Sequence, residues 1–123
     1  SYMRCKYVIE ENQRVLTACE AMLRGDIETV GKMMYATHEG MSKLYEASCK
    51  EIDEMVDIAR TSSDIVGSRI MGGGFGGCTI SVVKKSAVED FKQMMNEQYY
   101  KKYNIPSVIY DIVVSDGTNE ILL

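Results

Sequence analysis

A chain of 123 residues with a formal net charge of -4, 46% hydrophobic and 26% charged side chains, is sized for one domain that buries roughly two thirds of its unfolded surface. The acidic balance argues against a nucleic-acid partner, which needs Lys and Arg gathered on one face, and Lys84-Lys85 and Lys101-Lys102 are too short to supply one. No apolar run approaches the roughly 20 residues that cross a bilayer, so no membrane partner is expected.

Cys5, Cys19, Cys49 and Cys78 are widely spaced and form no C-x-x-C pair. That spacing offers neither a zinc ribbon nor a thioredoxin-type motif, and it predicts free thiols in a reducing cytoplasm. The chain starts at Ser1-Tyr2 and runs straight into helical sequence, as expected of a piece of something longer.

From Val8 to Leu23 the pairs Val8/Ile9, Val15/Leu16 and Met22/Leu23 recur at heptad spacing with Cys19 between them, predicting a helix buried on that side. Gly25 ends it, and Asp26 caps a second helix with the stripe Ile27, Val30, Met34, His38, Met41 and Leu44/Tyr45. So short a turn predicts antiparallel packing. Ser48-x-x-Glu51 reads as a capping box opening a third helix with Ile52, Met55, Val56 and Ala59 inward, stopping in Thr61-Ser62-Ser63-Asp64.

The period then changes. Ile65 to Met71 is strand-like, and Cys78, Ile80 and Val82 alternate with polar neighbours as in a strand with one buried face. Ser86-x-x-Glu89 reads as a second capping box, before a helix striped by Val88, Phe91, Met95 and Tyr99 and broken at Asn104 and Pro106. Val108, Tyr110, Ile112 and Val114 alternate as a further strand, then a Ser115-Asp116-Gly117 turn and a short edge strand at Ile121 to Leu123. Segregated helices and strands define an α+β class, an antiparallel sheet covered by helices.

Core packing does not explain Gly72-Gly73-Gly74-Phe75-Gly76-Gly77. Each glycine costs about 0.5 to 1 kcal/mol of extra chain entropy, so a cluster needs a physical reason. Positive φ angles, close approach of another segment, amides turned toward an anion, and a tight hairpin with no ligand all remain open. Gly72, Gly74 and Gly77 satisfy G-x-G-x-x-G, but the loop opens a strand instead of a helix, which rejects a dinucleotide fold. A protein-kinase loop lacks its H-R-D and D-F-G companions here, and a Walker loop lacks its Gly-Lys.

Residues Gly67 to Cys78, GSRIMGGGFGGC, resemble the third signature motif of the GHMP small-molecule kinases, in the form with Phe and a terminal Cys that marks the galactokinase branch. VIEENQRV at Val8 to Val15, Gly25-Asp26, His38 and LYEASCKEID at Leu44 to Asp53 resemble the helices preceding that motif. The resemblance runs to about Lys84, and beyond it only the helix-strand pattern agrees. Met71 stands where galactokinases commonly have Thr, and Lys50 replaces a frequent Pro.

The resemblance implies that residues 1-123 form a single ferredoxin-like GHMP kinase C-terminal domain, part of a longer two-domain enzyme. That enzyme would transfer the γ-phosphoryl group of ATP to the C1 hydroxyl of galactose. ATP and Mg²⁺ would be bound mainly by the N-terminal domain, with galactose and ATP in the interdomain cleft. The chain alone would be inactive and carry no catalytic or metal-ligating residue. Gly72, Gly73, Gly74, Phe75, Gly76 and Gly77 would border the phosphate, with Phe75 as anchor and Arg69 and Met71 as supporting residues. On its apolar stripe His38 reads as a hydrogen-bonded core residue with no acidic partner in view, and Cys78 as a small buried strand residue. Alternatives are a kinase for N-acetylgalactosamine, arabinose, mevalonate or homoserine, a non-catalytic sensor of the same family, and a free-standing module with a glycine hairpin.

Overall fold

The computed structural model describes residues 1-117. Helices α1 (Tyr2–Arg24) and α2 (Ile27–Lys43) are separated only by Gly25 and Asp26. Gly25 closes α1 at φ 73°, a left-handed conformation that suits a residue without Cβ. Asp26 caps α2, its carboxylate accepting from the Thr29 N–H at 3.1 Å. The helices run antiparallel as expected: Tyr7 packs at Gly40, and the Thr37 hydroxyl donates to Glu11 at 2.8 Å.

Helix α2 lies across strand β1 (Ile65–Ile70). The two backbones touch where Gly31 faces Val66 and Gly67, and a Cβ on Gly67 would stand 2.6 Å from the Gly31 Cα. β1 pairs antiparallel with β2 (Thr79–Val83), from Gly67↔Val82 to Ile70↔Thr79, with an irregularity between Ile65 and Gly67. Helix α3 (Lys50–Arg60) precedes β1, and a 3-10 turn at Lys85–Ala87 leads into α4 (Val88–Tyr103). Helices thus cover a two-stranded antiparallel sheet among the described residues, the α+β arrangement that segregated periodicities predicted.

One core cluster joins Tyr7, Met41, Ala47, Ile52 and Ile70, drawing on α1, α2, the α2–α3 connection, α3 and β1. A second joins Ile58 of α3 to Met95 and Tyr99 of α4. Ile52, Val56 and Ala59 of α3 are buried as their spacing required. Between the strands the fully buried Ser68 hydroxyl is satisfied by that of Ser81 at 2.8 Å.

Several expectations are corrected. The heptad-spaced band of α1 is exposed, not buried: Ile9, Leu16 and Leu23 are 71%, 58% and 90% exposed, while the buried residues of the helix are Tyr7 and Ala21. Neither capping box forms. Cys49 and Ala87 occupy the cap positions without side-chain bonds, and the Ser48 hydroxyl donates to Asp53 instead. β2 has no single buried face; every residue in it is half-buried, and Cys78 lies outside the strand and exposed. Residues 105-117 form no strand. Val108, Tyr110 and Ile112 line an apolar cleft of about 480 Å³ shared with Thr79, Ile80 and Ser81 of β2 and do not pair with that strand. Ile109, of the opposite parity, packs on the α3–α4 cluster. The predicted edge strand at Ile121 to Leu123 lies outside the described residues.

Candidate functional site: the glycine loop

The loop between β1 and β2 carries Gly72, Gly73, Gly74, Phe75, Gly76 and Gly77, the segment singled out from composition. Gly72, Gly74, Gly76 and Gly77 all have positive φ, between 78° and 129°. An L side chain is strained in that region, so backbone geometry accounts for four of the five glycines. Gly73 does not share it, and a Cβ there would meet nothing within 4 Å. Nothing among the described residues requires its bareness.

Two backbone bonds set the loop's shape. The Met71 N–H donates to the Cys78 carbonyl at 3.0 Å and closes the neck; the Phe75 N–H donates to the Ala47 carbonyl at 2.5 Å and pins the tip to the α2–α3 connection. Gly74 fits against the same residue, since a Cβ on it would overlap the Ala47 oxygen and stand 2.9 Å from the Ala47 Cβ. The Phe75 ring is 77% exposed, so the loop is anchored by the main chain of Phe75 and not by its side chain. The backbone N–H groups of Gly72, Gly73, Gly74, Gly76 and Gly77 meet no backbone acceptor among the described residues.

Of the supporting residues, Met71 is exposed at the loop's base. Arg69 turns back along its own strand, donating to the Ile70 carbonyl at 3.0 Å, and forms no ion pair among the described residues. Beneath the loop lies a polar cluster that the sequence did not disclose. Buried His38 accepts the Ile70 N–H on Nδ1 at 3.2 Å and faces Asp53 through Nε2 at 3.2 Å. The Asp53 carboxylate also accepts from Ser42 at 2.8 Å and Ser48 at 2.5 Å. His38 is thus the hydrogen-bonded core residue its stripe suggested, but the acidic partner is present. Burial disfavours the imidazolium and lowers the His38 pKa, with Asp53 pulling in the opposite direction. The only sequence hint of the cluster is Ser48, whose spacing to Glu51 pointed instead to a cap.

A fold built this way, with a bare loop between two strands and helices packed behind it, has counterparts among small-molecule kinases. Residues 18–101 match the family model described as GHMP kinases C terminal, and the chain belongs to that family. Within it, the chain is 42% identical over 118 residues to galactokinase from Thermotoga maritima, covering 96% of this chain and 34% of that protein. It is 37% identical over 118 residues to galactokinase from Lactobacillus helveticus, covering 96% and 30%. The likeness therefore extends well past Lys84, into the region where sequence inspection found only a pattern. The crystal structure of Lactococcus lactis galactokinase complexed with galactose superposes with a TM-score of 0.81 at 28% identity, over 85% of this chain and 27% of that one. The L. major mevalonate kinase in complex with R-mevalonate gives 0.59 at 26% identity, over 74% and 26%. The chain spans about a third of the length of the curated relatives it matches.

Proposed function

We propose that residues 1-123 are the C-terminal domain of a galactokinase, cytoplasmic, working with an N-terminal domain of the same kinase to pass the γ-phosphoryl group of ATP to the C1 hydroxyl of galactose. The observation that carries this reading is Gly73: a bare residue without a positive φ, where a Cβ would meet nothing within 4 Å, in a loop whose five glycine amides meet no backbone acceptor among the described residues. Bare backbone there leaves room for a phosphate or for the other domain's phosphate-binding segment. Unengaged N–H groups supply fixed partial positive charge where negative charge moves during transfer. Phosphoryl transfer is mostly positioning and charge stabilisation, so a rigid donor-bearing edge is a useful contribution from a domain without a base of its own.

Galactokinases depend on Mg²⁺, an ion that prefers oxygen ligands. Among the described residues no group of three or more His, Cys, Asp or Glu is placed to hold a metal. The reading assigns the ion, with most of the ATP and sugar contacts, to the N-terminal domain of the same kinase. The greater likeness to a galactose-bound galactokinase than to mevalonate kinase favours galactose as acceptor.

The test is a phosphorylation assay on the complete protein with ATP and Mg²⁺, offered galactose, N-acetylgalactosamine, arabinose, mevalonate or homoserine in turn. Galactose is expected to be the preferred acceptor, and no turnover of residues 1-123 alone is expected. A complete protein inert toward galactose overturns the assignment, and robust turnover by the isolated domain overturns the division of labour.

A further inference from the structure

Both attachments of the glycine loop lead to one carboxylate. Ile70, the last residue of β1 before the loop, gives its N–H to His38 Nδ1 at 3.2 Å, and His38 Nε2 faces Asp53 Oδ1 at 3.2 Å. Phe75, at the loop tip, gives its N–H to the carbonyl of Ala47. The next residue, Ser48, donates its hydroxyl to the same Asp53 oxygen at 2.5 Å, while Ser42 occupies the other at 2.8 Å. Because Nδ1 accepts, the ring is neutral and its proton sits on Nε2, directed at Asp53.

We propose that His38 and Asp53 are positioning residues for phosphoryl transfer, holding the stem and the tip of the glycine loop in fixed relation through Ile70 and the Ala47-Ser48 backbone. The proposal rests on the loop's reading given above. His38 does not act as a base: it is 4% exposed and its acceptor nitrogen is already occupied by a main-chain N–H. Their role is to fix where the amides of Gly72 to Gly77 point. The arrangement depends on a neutral ring, since a proton on Nδ1 would set two donors against each other at Ile70. The charged groups that act on the ring are Asp53, Asp57 and Arg60 of α3 and Glu39 of α2. Desolvation outweighs them and keeps the ring neutral at physiological pH.

The two nitrogens can be tested separately in the complete kinase. His38→Asn keeps an acceptor where Nδ1 stands; His38→Gln keeps a donor near Nε2 and loses the acceptor. We expect His38→Gln to lower kcat at least tenfold with KM for galactose changed less than about threefold, and His38→Asn to recover most of the loss. Asp53→Asn, which preserves shape, removes the carboxylate that favours the imidazolium. The fall of kcat at acid pH should then begin at lower pH than in the parent. Amide hydrogen exchange at Ile70 reads the anchor without reference to activity, and it should accelerate in His38→Gln and less in His38→Asn. Equal kcat in the two His38 variants, an unmoved acid limb in Asp53→Asn, or unchanged Ile70 exchange in His38→Gln overturns the proposal. A parent enzyme inert toward galactose sinks the functional reading alone, and Ile70 exchange then decides the anchor.

Discussion

The Phe75 N–H donates to the Ala47 carbonyl at 2.5 Å while the Phe75 ring stays in solvent. The most conspicuous side chain of the loop is therefore not what holds it, and Gly74, pressed on the same Ala47, is the position where any added atom displaces the tip.

Gly74 and Gly73 should respond differently to the same methyl group. Gly74→Ala puts a Cβ into the Ala47 carbonyl at φ 95°, which should cost about 1–3 kcal/mol and lower kcat with it. Gly73→Ala adds a methyl to open space and should change stability by less than about 0.5 kcal/mol, yet lower kcat of the complete kinase severalfold or more. Urea denaturation and steady-state kinetics on both variants check this. Wild-type kinetics in Gly73→Ala would return the loop to a plain structural hairpin.

The Ser68–Ser81 pair should show strong coupling. Ser81→Ala strands the fully buried Ser68 hydroxyl, at about 1–3 kcal/mol. Replacing both by Ala removes the stranded group and should cost less than Ser81→Ala alone. A double-mutant cycle measured by denaturant unfolding decides it; additive losses would mean the hydroxyl finds water.

Stability should fall on the acid side through His38. Its folded-state pKa lies below the ordinary 6.5 because burial penalises the charged ring. The unfolded chain therefore takes up the proton first as pH falls. The stabilisation is fully present above about 6.5 and is lost progressively from there down to the folded-state pKa. His38→Asn should flatten that part of the stability–pH curve. An equally steep curve in the variant would assign the slope to other groups.

The α1 band should make the isolated domain self-associate. Ile9, Leu16 and Leu23 sit seven residues apart on one helical face and are 71%, 58% and 90% exposed, apolar side chains that a second copy can cover. Leu16→Lys combined with Leu23→Lys should reduce association in sedimentation velocity and leave helical circular dichroism unchanged. A parent domain that remains monomeric at high concentration contradicts this.

Much of this architecture was legible because it is local. Asp26 and Gly25 are decided by hydrogen bonds and φ values within a few residues, and the α3 and α4 stripes by helical period. The glycine cluster announced itself by composition, since no regular element tolerates five glycines without cause. Periodicity also marked Ile9, Leu16 and Leu23 as one face and Val108, Tyr110 and Ile112 as another, but a period states which residues share a side and not what covers that side. Both faces were expected to be buried, and among the described residues nothing covers either. Ser48 and Ser86 failed as caps for a related reason: a hydroxyl has several acceptors within reach once the chain is folded, and for Ser48 the Asp53 carboxylate is the one it bonds.

Local chemistry alone settled the Gly25–Asp26 joint between α1 and α2 and the positive-φ positions of the loop where the backbone must be bare. Contacts between residues far apart in the chain settled everything that aims the loop: Ile70 on His38 across 32 positions and Phe75 on Ala47. Such pairs leave no periodic trace, because their geometry exists only after α2, α3 and β1 have packed.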